Sequence, residues 1–91
     1  MDSTIPKSWR ETFDELVCAV KLAEEALRKP NLTETDREEI AEKITQLAEL
    51  LAEVATTGRL AFDPARAAQI HEKIKEIEEL VNSLIEKGEA L

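Results

Sequence analysis

ETDREEIAEKITQLAELLAEVATT, residues 34–57, decides the fold of this chain. Ile40, Ala41, Ile44, Leu47, Ala48, Leu51, Val54 and Ala55 recur in it at steps of three and four. At about 100° per residue these positions share one side of a helix, and Glu38, Glu42, Glu49 and Glu53 fall on the other. A stripe of that kind needs apolar surface to pack against. Similar patterns precede and follow it, so the segment reads as the middle helix of a bundle.

Working outward toward the N-terminus, Ser8 and Glu11 have the spacing of a capping box, which predicts a helix from about Trp9 to Arg28. Its core stripe is Trp9, Phe13, Leu16, Val17, Val20, Ala23 and Leu27, with the two rings plugging one end of the bundle. Ile5 and Pro6 are expected to fold back on that end. Pro30 and Asn31 turn the chain, and Thr33 is the N-cap of the middle helix, with Thr35 and Glu38 as a second candidate box.

Toward the C-terminus, Gly58 reads as a C′ glycine able to take positive φ. The loop Arg59-Leu60-Ala61-Phe62 is more apolar than a turn requires and is expected to lie as a lid over the bundle end. Asp63-Pro64 restarts the chain as N-cap and first helical residue. The third stripe is Ala67, Ile70, Ile74, Ile77, Val81, Leu84 and Ile85, with Gly88 as the stop and a fraying tail after it. Helices over about 8–28, 34–57 and 64–87 are each roughly 30–36 Å long. Matched lengths and short loops predict an all-α, antiparallel up-down-up three-helix bundle, one domain over residues 1–91. A domain-swapped or intermolecular bundle has the same local pattern.

Composition narrows the function. The chain has 91 residues, 43% of them hydrophobic and 35% charged, and a formal net charge of −8. That sign opposes a phosphate backbone and an anionic membrane surface, and it suits solubility or a basic protein partner. No run approaches the ~18 apolar residues of a membrane span, and Met1–Thr4 lacks a signal-peptide apolar region. One cysteine excludes an internal disulfide framework, so a reducing, cytoplasmic setting is expected.

The Thr33 cap, the Asp63-Pro64 start, Gly58 and Gly88 as stops, the run Arg37-Glu38-Glu39-Ile40-Ala41-Glu42-Lys43-Ile44 and the Glu39–Lys43 charge pair span nearly the whole chain. In these habits the sequence resembles computationally designed helical bundles. The absence of tyrosine and the aromatic content of 3% fit that resemblance. Cys18, His71 and the Leu60–Phe62 loop depart from it. The resemblance implies a protein made to fold or to bind, with catalysis uncommon.

Chemistry-bearing residues are sparse. Cys18 and His71 are the one candidate thiolate–imidazole pair, on the first and third helices, but a mid-helix position offers no spare backbone amides for an oxyanion. One His and one Cys cannot furnish a zinc set, and Glu78 and Glu79 lack an apolar cleft to part their pKa values. No cofactor, metal or small-molecule substrate is expected. Leu47-Ala48-Glu49-Leu50-Leu51 fits the short LxxLL pattern, yet Leu47 and Leu51 belong to the core stripe, leaving Leu50 to offer a partner.

The surface reading is stronger. Cys18 and Leu22 project about 140° or more from the first helix's stripe, with Ala19 and Ala26 beside them. Apolar residues opposite a buried stripe mark either a recognition face or a more enclosed helix. Leu50 and Leu80 are also off-centre. The expectation is a non-enzymatic protein-binding module that uses Cys18, Ala19, Leu22, Ala26, Leu60 and Phe62. The alternative is a structural scaffold or self-assembling bundle, and an enzyme built on Cys18 and His71 ranks third.

Overall fold

The computed structural model describes residues 6–89. They form three helices: α1 (Trp9–Leu27), α2 (Glu34–Thr57) and α3 (Pro64–Glu89). No strand occurs among the described residues. The arrangement fits an all-α three-helix bundle in which α1 packs against both other helices, while α2 and α3 meet each other far less. The Cα trace measures 47 × 27 × 15 Å, a flattened body with α1 as its common wall.

The helix starts follow the capping chemistry. The Glu11 amide donates to Ser8 Oγ at 3.2 Å, and the Lys7 amide donates to Glu11 Oε1 at 2.8 Å. Thr33 caps α2 with Asp36 as its reciprocal partner, so the box is Thr33/Asp36 and not Thr35/Glu38. Asp63 Oδ1 accepts from the amides of Ala65 and Arg66. Each contact satisfies a first-turn donor that has no intrahelical acceptor.

Both glycine expectations are corrected. Gly58 closes α2 with φ −60° and ψ −12°, in the right-handed region. A Cβ there would lie 3.1 Å from the Val54 carbonyl oxygen, so the position is tight for a side chain without needing positive φ. Gly88 does not stop α3, which continues to Glu89. A Cβ on Gly88 would lie 2.9 Å from Lys29 Cβ and 3.3 Å from Leu32 Cδ2, so its role is close approach to the α1–α2 connection. There the Asn31 side-chain amide donates to the Gly88 carbonyl at 2.7 Å, and Arg37 donates to the carbonyls of Leu27 and Lys29. Lys87 Nζ pairs with Asp36 at 3.0 Å. This end is sewn by polar contacts.

The core consists of Leu16, Ile40, Leu47, Val54, Ile70, Ile74, Val81 and their neighbours, packed to near-complete burial. Each large aliphatic side chain buried this way stabilises the fold by roughly 1.5–3 kcal/mol. On α3 the buried stripe is the expected one, apart from half-buried Ile85. On α1 it is not. The residues buried there are Trp9, Thr12, Leu16, Ala19, Ala23 and Ala26, a face turned about 60° from the expected stripe. Phe13 is 40% exposed, and Thr12 is fully buried with its hydroxyl donating to the Ser8 carbonyl at 3.2 Å. Small side chains at 19, 23 and 26 let another helix approach closely, so packing prefers that side to the bulkier Val17–Val20 side.

That rotation moves part of the expected surface strip indoors. Ala19 and Ala26 are core residues, and half-buried Leu22 packs against the core. Cys18 is exposed. At the Trp9 end Phe62 acts as the lid, its ring edge-on to Trp9 with centroids 5.1 Å apart, whereas Leu60 stands 67% exposed. Pro6 is buried, and Ile5 and residues 90–91 lie outside the described residues. Leu50 and Leu80 pack as half-buried margins of the core.

Candidate functional site

Two groups of residues stand out once the helices are placed. One lies between α1 and α3. Glu15 and His71 each sit about two turns into their helix, and His71 Nδ1 meets Glu15 Oε2 at 2.5 Å. His71 is only 7% exposed and Glu15 is half-buried. Glu15 Oε1 is buried with no hydrogen-bond partner among the described residues. Burial, then the Glu15 carboxylate, pushes the Glu78 carboxyl above its ordinary range, against the pull of His71 and Lys75. Across α2 and α3, Arg66 clasps Glu53 with both arms at 2.6 Å and holds that carboxyl below its usual range.

These contacts read as seams between helices. No hydrogen bond joins Cys18 to His71 among the described residues, and the imidazole Nδ1 is taken by Glu15. No group of three or more His, Cys, Asp or Glu side chains suited to a metal occurs among the described residues. Glu15 and His71 were separable in the sequence only by their equal distance from helix starts. That signal is weak, because it requires knowing which helices start at the same end.

The second group is the side of the α1–α2 pair turned away from α3. Glu15 on α1 and Glu53 on α2 both reach α3, so they mark the covered side. Phe13, Val17 and Val20 lie about 140–200° around α1 from Glu15, and Ile44, Ala48, Leu51 and Ala55 lie about 140–180° around α2 from Glu53. Phe13, Ala48 and Ala55 are exposed, and Val17, Val20, Ile44 and Leu51 are half-buried. At the end of this face, a shallow groove of about 250 Å³ is lined by Trp9, Arg10, Phe13, Val54, Ala55 and Gly58. It brings the first turns of α1 beside the last turns of α2. The Trp9 indole nitrogen is buried there without a partner among the described residues.

Every large residue of this face was assigned to the core by periodicity alone. The apolar arcs of α1 and α2 are wider than one third helix can cover, and what α3 leaves becomes surface. Of the six residues expected to bind a partner, Leu60 is well exposed, Cys18 is exposed, Phe62 and Leu22 are half-buried, and Ala19 and Ala26 are interior. They do not form one contiguous exposed strip. No protein-family model, curated protein or solved structure matches the chain. No helix among the described residues is long and apolar enough to cross a membrane.

Proposed function

We propose that this chain is a non-catalytic docking module that binds a protein partner through the open α1–α2 face. The single observation behind this reading is an apolar face on the side away from α3, where Phe13, Ala48 and Ala55 are exposed and Val17, Val20, Ile44 and Leu51 are half-buried. A contiguous apolar face bordered by polar residues is a characteristic of binding sites. The helices run up-down-up in this reading. It is supported by the groove joining the α1 start to the α2 end, the Trp9–Phe62 ring contact and the Lys87–Asp36 pair. A designed origin accounts for the ideal caps, and an exposed free thiol at Cys18 suits a reducing, cytoplasm-like setting.

Helix-face recognition needs little more than such a surface. Apolar anchors supply the burial and a charged rim fixes orientation. The face lies on rigid helices, so it loses little entropy on binding.

The test is site-specific photo-cross-linking in the producing cell. A photoreactive residue at Ala48 should yield protein adducts of defined mass, and one at Ser83, exposed on α3, should not. Equal labelling at both positions, or none at Ala48, would remove the binding reading and leave a scaffold with no partner.

A further inference from the structure

We infer that the open α1–α2 face takes an amphipathic helix of another protein, laid along the two helices with a row of acidic side chains against α1. This deepens the docking reading above and rests on it. Two features carry it: the way the covered side is built, and the charges that border the open one.

The same pair of helices already seats one helix. On the covered side α3 lies against both, and acids of the pair bind its basic side chains, Glu15 meeting His71 and Glu53 meeting Arg66. The open side forms a similar trough. Phe13, Val17 and Val20 make one wall and Ile44 and Leu51 the other, while exposed Ala48 and Ala55 leave room for a helix to come close. At one end the shallow groove beside Trp9, Phe13 and Val54 offers a place for a large side chain of the guest.

Here the α1 border carries the opposite sign. Arg10 and Arg28 lie about 20° beyond Val17 around α1, and Lys21 about 40° beyond it, so the three stand in one line beside the apolar wall. All three are exposed, and among the described residues none is held in an ion pair or hydrogen bond. Glu24, within the face, and Asp14, just outside the line, flank it without pairing to it. The line itself is wholly cationic, in a chain whose net charge is −8. On α2 the facing border between residues 41 and 56 is Ala41, Thr45, Ala52 and Thr56, without charge. An incoming segment is therefore selected by acids on its α1 side and by none on its α2 side. A second copy that presented this same face would bring no acidic edge to it.

The spacing suits a helix. Arg10, Lys21 and Arg28 are 11 and 7 residues apart, about 16 and 10 Å along the axis. Both intervals return an α-helix to the same side within about 20°. A guest helix alongside α1 thus presents Asp or Glu at these intervals from one edge while its apolar stripe fills the trough. A helix also keeps its own backbone hydrogen bonds, which an extended segment would leave unsatisfied against two helices with no free backbone edge. Apolar burial supplies the affinity, and the cationic line decides which edge of the guest lies on α1.

Two synthetic helical peptides of about 20 residues test this, long enough to span the line. Both carry one leucine stripe. Edge positions at the two intervals, in either order, are Glu in one peptide and Lys in the other. Titration calorimetry on the full chain at physiological salt should find the Glu peptide bound at least about tenfold more tightly than the Lys peptide. Ala48→Glu should abolish binding of the Glu peptide, and Lys21→Glu with Arg28→Glu should reverse the preference, each variant keeping the helical circular dichroism of the parent. Failure of the Glu peptide to bind, equal binding of the two, or binding indifferent to Ala48→Glu would overturn the inference. So would a wild-type dimer that Ala48→Glu dissociates, which gives the face to a second copy. Preference for phosphatidylserine vesicles over the Glu peptide would give it to a membrane and overturn it equally. A protein adduct at Ala48 without peptide binding would leave the docking reading standing and remove the acidic helix. Absence of both would remove both.

Discussion

On the side covered by α3, the α1–α2 pair is closed by residues that leave no choice of partner. Leu16, Leu47 and Val54 are buried to near zero exposure, and charged groups at the edges, Glu15 and Glu53, are each bound to an α3 side chain. On the opposite side the same two helices carry exposed Phe13 and half-buried Val17, Val20, Ile44 and Leu51, the last three packed against the margin of the core. Apolar periodicity measures how much of a helix avoids water. It does not say how many neighbours supply the cover. α3 has a narrow stripe and one way to face, whereas α1 and α2 have wide arcs and had to choose.

Perturbations should separate the two sides by size. Leu47→Ala removes a fully buried side chain and leaves a cavity, so denaturant unfolding should show a loss of about 2–5 kcal/mol. Gly88→Val forces a branched side chain against Lys29 and Leu32, and the same assay should show about 1–3 kcal/mol lost, with the α1–α2 connection disturbed in amide exchange. His71→Ala strips the half-buried Glu15 carboxylate of its partner and should cost about 1–3 kcal/mol. Phe13→Gln, on the open side, should stay within about 0.5–1 kcal/mol in monomeric chain.

The smallest effect is the most diagnostic of the α1–α3 seam. Glu78 has its carboxyl pKa raised in the folded protein, so the fold binds that proton more tightly than the unfolded chain does. Its contribution therefore improves as pH falls from the raised value toward the unfolded one near 4.5, and is a cost at neutral pH. Glu78→Gln should raise the melting temperature at pH 7 by a fraction of a kcal/mol's worth, screened by solvent, and remove that gain on mild acidification. Asp36 and Glu53 act in the opposite sense. Lys87 and Arg66 lower their pKa values, so their stabilisation is present above the unfolded value and is lost as pH falls through the folded one.

Much of the architecture was legible in the sequence. Ser8, Thr33 and Asp63 mark helix starts by local chemistry that acts within four residues, and the α3 stripe from Ala67 to Leu84 needed only its own periodicity. What was illegible depends on distant residues. The turn of α1 onto Ala19, Ala23 and Ala26 is a packing preference between helices, and no local rule ranks three alanines above Phe13 and Val17. Gly88 is ambiguous in the sequence because a glycine near a helix end serves either as a stop or as a point of close approach. Only the position of Lys29 decides between them. The Glu15–His71 contact links residues 56 apart in sequence and awaited the pairing of α1 with α3.

Adjacent residues of α2 provide the most direct test of whether the open side is a docking face rather than core. Urea unfolding should be followed for Leu47→Ala and Ala48→Glu, at a dilution where every chain is monomeric. The expected loss is about 2–5 kcal/mol for the first and less than about 0.5 kcal/mol for the second. A comparable loss for Ala48→Glu would mean that this side is folded into the interior, and would contradict the docking reading.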